Sequence, residues 1–186
     1  MLLPSAFSFA PKPFMNNLPV KQSSTNKTKQ RKNIPLEGSP QNPPRTLTLI
    51  AQFESLDVAR QFVAKEAEEY GLGPSAIYAV QMAVDEAVTN IIEHAYGGES
   101  QEKIECTCQI TGEGLVITLK DCGKPFKPEE VPDPDLTSDL EDRQIGGLGL
   151  YFMYQLMDEV AFSFDTSSER KRCNILRMVK RKEKAR

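Results

Sequence analysis

No stretch of this chain approaches the roughly 20 consecutive apolar residues that a helix needs to cross a bilayer. Its first ten residues, "MLLPSAFSFA", lack both the early basic region and the long apolar core of a secretory leader. Neither a membrane nor a secreted protein is indicated. Paired cysteine knuckles are missing as well. Cys106 and Cys108 form a Cys-x-Cys, followed by the scattered singles Cys122 and Cys173, which is not the usual zinc spacing. Reduced, mostly buried thiols in a cytoplasmic protein are the expectation. Positive charge is scarce too: from Thr46 onward acids outnumber bases, and such a surface repels a nucleic-acid backbone. The exception is the end, "ERKRCNILRMVKRKEKAR", where nine basic residues surround a short apolar run. It reads as a last strand with a basic trailing end at 182–186, with an acidic partner as the alternative.

What is present suits one soluble domain plus a tail. Of the 186 residues, 39% are hydrophobic and 26% charged, enough apolar material for one ordinary core. Residues 1–45 are rich in Pro, Ser, Asn, Gln and Lys, with seven Lys or Arg against the single acid Glu37. Nothing in "KQSSTNKTKQRKN" is periodic, so no burial would offset the entropy of ordering it. A flexible basic arm is expected; a transit peptide has a similar composition but more arginine.

The domain proper is expected at 46–181. "TLTLIAQF" (46–53) reads as a strand. Ser55 offers a helix cap, with Val58, Phe62, Val63, Ala67 and Tyr70 at helical spacing before a stop at Gly71. A longer helix covers about Pro74 to Ala95. "KIECTCQI" and "GLVITLKD" alternate as half-buried strands, joined by a hairpin turn. After a polar segment, "GGLGLYFMYQLMDEV" reads as a helix opened by glycines, and "VAFSFDT" and "CNILRMVKR" as strands. The order predicts an α+β two-layer sandwich with a mixed, mostly antiparallel sheet covered on one face by helices.

On the long helix, Ile77, Val80, Val84, Val88, Ile91 and Ala95 share one stripe at 100° per residue, which faces the sheet. Glu86 and Asn90 fall together on the far side, beside the small Ala83 and Ala87, and His94 is four residues further on. Taken alone, such a row is a solvated helix face. Two glycine-bearing segments give it company. In "DCGKPF", Asp121 is fixed at a strand end and Gly123 permits a turn or a close backbone approach. In "GGLGL", three glycines stand at a helix start, whose free N–H groups and dipole suit a phosphate. Together these segments make a nucleotide site.

E-x-x-x-N followed by H-A-Y, then D-x-G-x-P-F, then G-G-L-G-L, resembles in order the three ATP-binding boxes of the GHKL ATPase superfamily with its Bergerat fold. Within it, the chain is most similar to the anti-sigma factor serine/threonine kinases of the RsbW type. The resemblance covers roughly 46–181. It implies that Glu86 is the general base for an attacking serine hydroxyl and that Asn90 ligates Mg²⁺ on the phosphates of ATP. It implies that Asp121 accepts the adenine amine, with Gly123 letting backbone approach the ring. Gly147, Leu148 and Gly149 would meet phosphates, as would His94. "KPEEVPDPDLTSDLEDRQ" would be the ATP lid, with Arg143 as a phosphate contact.

The rest of the chain narrows the choice. The sole histidine, His94, lies inside an ATP motif, so no phosphoacceptor histidine is left for a sensor histidine kinase. The length leaves no room for the extra domains of the gyrase, chaperone and repair relatives. The resemblance then implies a STAS-type anti-anti-sigma protein as substrate, a sigma factor as competing partner, and a homodimer formed around Thr46–Tyr70. An ATP-binding module that sequesters a partner without phosphotransfer is the alternative, and Glu86 argues against it. A kinase in a switch with no sigma factor also stays open.

Overall fold

The computed structural model describes residues 43–131, 148–165 and 172–183. The expected arm lies outside these residues up to position 42, as do Arg143, Gly147 and most of the expected lid. The chain runs β1 (Arg45–Ile50), α1 (Ser55–Tyr70), α2 (Pro74–Asn90), β2 (Lys103–Thr111), β3 (Gly114–Asp121), α3 (Leu148–Leu156), β4 (Glu159–Asp165) and β5 (Cys173–Lys180). The sheet order is β1-β2-β3-β5-β4, and every pairing among the described strands is antiparallel. Helices packed side by side cover one face, α2 between α1 and α3. This is the expected α+β sandwich. None of the described helices is long and apolar enough to cross a membrane.

Alternation in the strands supplies the core. Ile104, Cys106 and Cys108 of β2 and Leu115, Ile117 and Leu119 of β3 are all buried, and Val63, Val80, Val84 and Val88 meet them from the helices. Each such aliphatic side chain contributes about 1.5–3 kcal/mol relative to exposure. Gly71 stops α1 at φ 85°, where its N–H reaches the carbonyls of Ala67 and Glu68, a conformation that side chains other than glycine resist.

Several local expectations shift. β1 opens at Arg45, inside the stretch assigned to the arm, where its guanidinium pairs with Glu66 at 2.9 Å and Glu69 at 2.7 Å. Ser55 is the first helical residue, and the cap position falls to Glu54, which makes no side-chain capping bond. Val58 is exposed because its neighbour Ala59 takes the inward position. On α2 the buried arc is wider than one stripe: Ala79, Ala83 and Ala87 are buried too, because α1 and α3 flank it. The helix ends as α-helix at Asn90 and continues as a π turn, Ile91–Ala95.

The cysteines divide into two kinds. Cys106 and Cys108 are free and buried, as expected, and a hydrogen bond with Cys106 together with burial pushes the Cys108 thiol far up. Cys122 and Cys173, expected as free thiols, instead form a disulfide. The reason is the β3–β5 register: Asp121 pairs with Asn174, so the two cysteines stand opposite each other on the next rung.

Candidate functional site

Between α2, α3 and the end of β3 lies a cavity of about 480 Å³. Asn90, His94, Asp121 and Gly149 reach it, while Met153, Phe162 and Leu176 give it apolar walls. Phe126 packs on Phe162 with ring centroids 4.8 Å apart. An apolar cavity of this size with a buried carboxylate at its floor has room for a heteroaromatic ring that carries an amine.

The carboxylate is Asp121, the last residue of β3, which is buried. Gly123 N–H donates to its Oδ1 at 2.9 Å and the Asn174 amide donates to the same atom at 2.8 Å. Among the described residues nothing donates to Oδ2, so one oxygen is held and the other stays available. Burial pushes this carboxyl above its usual range, and the two donors counter part of that rise.

Asn174 fastens the wall as well as the floor. Its Nδ2 also donates to the Lys124 carbonyl at 2.9 Å, and its Oδ1 accepts from the Phe126 N–H at 3.0 Å. The loop after Asp121 is pinned from the opposite side by the helix end. Lys124 N–H donates to the Ala95 carbonyl at 2.8 Å, and a Cβ at Gly123 would stand 2.5 Å from that oxygen. Gly123 is therefore required by the approach of its loop to the π turn, a contact within the chain that the motif alone did not reveal.

The row on α2 divides in two. Asn90 and His94 line the cavity; Glu86 stands one turn back and accepts a hydrogen bond from Asn90 Nδ2 at 3.1 Å. Gly149 lies directly against Glu86, and a Cβ there would fall on the carboxylate. The second described residue of α3 is thus the surface on which Glu86 rests. Asp85 fixes the rotation of α2 from the other side through Arg60 of α1, at 2.7 Å. The small Ala83 and Ala87 beside that row are buried, and Ala87 borders the cavity. Leu148 opens α3 and is exposed. Gly147 and Arg143 lie outside the described residues.

Sequence reasoning missed Asn174. A signal existed: in β5 it occupies the inward position of a period-two strand, in line with Leu176 and Met178, where an amide needs a partner.

Residues 49–180 match the family model described as histidine kinase-like ATPase domain. The serine-protein kinase RsbW of Listeria monocytogenes is 33% identical over 124 residues, which is 64% of this chain and 79% of that protein. The serine-protein kinase RsbW of Bacillus subtilis is 29% identical over 114 residues, 59% of this chain and 71% of that protein. A crystal structure of the RsbU and RsbW domains of a Mycobacterium tuberculosis protein matches with a TM-score of 0.52 at 20% identity, over 75% of this chain. This chain spans 32% of that longer one, and the likeness speaks to the fold alone.

Proposed function

Since the chain belongs to the histidine kinase-like ATPase family, and within it to the RsbW serine-protein kinases, we propose that it transfers the γ-phosphate of ATP to a serine of a STAS-type anti-anti-sigma protein. The observation that carries this reading is Asp121: a buried carboxylate at the floor of an apolar slot, with Oδ1 fixed by two donors and Oδ2 available to the adenine amine.

Asn90 is the residue that would hold Mg²⁺. Its Nδ2 is engaged by Glu86, which turns Oδ1 into the available donor, a hard oxygen that suits a cation taking its other ligands from phosphates and water. When bound, that ion neutralises charge on the transferring phosphoryl group. Glu86 accepts the proton of the attacking serine hydroxyl, and its bond from Asn90 and its seat on Gly149 orient it for that task. His94 stands on the cavity wall and in this reading would meet the phosphates. Leu148 and Gly149 open α3, and in this reading their backbone N–H groups would meet the phosphates.

In this reading the kinase is a cytoplasmic homodimer, with a sigma factor competing against the STAS protein. Phosphorylation adds charge to the docking surface and switches the partner. The test is to incubate the protein with Mg-ATP and each STAS-domain protein of the same organism and weigh the products. A gain of about 80 Da on one serine of one of them supports the proposal. ATP consumption without protein phosphorylation, or binding without transfer to any of them, overturns it.

A further inference from the structure

The Cys122–Cys173 disulfide is the next rung beyond the Asp121–Asn174 pair that forms the floor of the cavity. Strand residues alternate in direction. Asp121 and Asn174 face the helices, so the two cysteines face the opposite side of the sheet. There they border a separate surface cavity of about 430 Å³ with Tyr96, Lys103, Glu105 and Lys120. Cys173 is buried and Cys122 half-buried, so an attacking thiolate would meet the bond at Cys122, from the outer face, away from the inner cavity.

We propose that this pair is a thiol–disulfide switch on nucleotide binding, resting on the reading of the inner cavity as an ATP site. In the oxidised chain the covalent rung holds β3 and β5 together where the ladder ends. It also fixes the start of the loop that Asn174 grips at Lys124 and Phe126. Cys122 itself donates its N–H to Tyr96 Oη at 3.2 Å, so the disulfide, the helix end and Asn174 converge on a few residues. Reduction removes the covalent rung and leaves Asp121 and its loop wall to hydrogen bonds alone. The wall is then less preorganised, and affinity falls because binding must restore the order. A disulfide that reports on its surroundings is also the kind expected in a reducing compartment, where persistent structural disulfides are rare.

The chemistry needs a dithiol reductant, of the thioredoxin class or a small dithiol. One of its thiolates attacks a sulfur of the pair, giving a mixed disulfide and releasing the other cysteine as a thiolate. The reductant's second thiol then displaces the first cysteine, so two electrons and two protons pass to the protein while the dithiol closes to its own disulfide. Oxidation is the reverse exchange with a disulfide oxidant. Cys106 and Cys108, buried in the core, take no part.

Titration of Mg-ADP into the full chain, oxidised and then treated with a small dithiol, tests the switch. The expected result is an affinity at least about fivefold weaker in the reduced protein, the lower end of ordinary coupling between sites. The C122S/C173S double variant is expected to bind as the reduced protein does, with or without dithiol. Coupling is reciprocal, so saturating Mg-ADP raises the ratio of disulfide to dithiol protein in a dithiol/disulfide buffer by the same factor, read as the mass added on alkylation after denaturation. Equal affinities in the two redox states, with nucleotide bound in both, overturn the switch and leave the proposed function intact. No binding in either state overturns both.

Discussion

The Asn174 amide donates to Asp121 Oδ1 at 2.8 Å, joining the inward end of β5 to the inward end of β3. One amide thereby orients the carboxylate at the cavity floor and holds the backbone of the wall at Lys124 and Phe126. An alanine at this position leaves the half-buried Phe126 N–H, the Lys124 carbonyl and the buried Asp121 carboxylate each one partner short. The N174A variant is expected to lose about 1–3 kcal/mol of stability, seen as a lower unfolding temperature, together with weaker Mg-ADP binding by calorimetry.

Asp121 gives a prediction with a definite pH sign. Burial raises its carboxyl above the ordinary value, so folding disfavours the charged form. The stability this group contributes is present below the ordinary carboxylate range and is lost as pH rises through the raised value. D121N carries no such charge. It is expected to unfold at a higher temperature than the parent at pH 7, with the gap closing as pH falls to about 4 and below. In the same protein Mg-ADP affinity falls by about 10- to 100-fold, because a charge-assisted acceptor is lost. An unchanged gap between pH 7 and pH 4 contradicts the assigned cause.

Gly149 and Gly123 should fail in different ways when changed to alanine. At Gly149 the new Cβ meets the Glu86 side chain, which can swing aside. G149A is therefore expected to keep its fold and nucleotide affinity within a few-fold and to lose about 100-fold in transfer rate, the scale of a misplaced catalytic group.

At Gly123 the new Cβ meets the Ala95 backbone, 2.5 Å from its oxygen, and backbone gives little. G123A is expected to lose about 1–3 kcal/mol of stability through overpacking, measured by denaturant unfolding. A variant as stable as the parent contradicts the described approach of loop and π turn.

Much of this was legible in the sequence because the signals were local. Alternation in "KIECTCQI" and "GLVITLKD" set both strands and their inward faces, and Gly71 marked the end of α1. Motif order brought Asn90, His94, Asp121 and Gly149 to one cavity. What escaped depended on partners distant in the chain. The Asn174 role and the Cys122–Cys173 bond both follow from β3–β5 register, which no residue spacing encodes. Val58 was misplaced because Ala59, its neighbour, packs closer to the sheet. The π turn that carries His94 was invisible to a uniform 100° plot.

The most direct test of the account separates Glu86 from nucleotide binding. Single-turnover transfer from Mg-ATP to the acceptor serine of the unphosphorylated STAS partner would be timed for the parent and for E86Q, with Mg-ADP affinity measured in both. Glu86 does not line the cavity, and its proposed task is on the serine proton alone, so the expected result is a rate lower by about 10²- to 10⁴-fold with affinity unchanged within about twofold. A transfer rate that survives in E86Q contradicts the central claim.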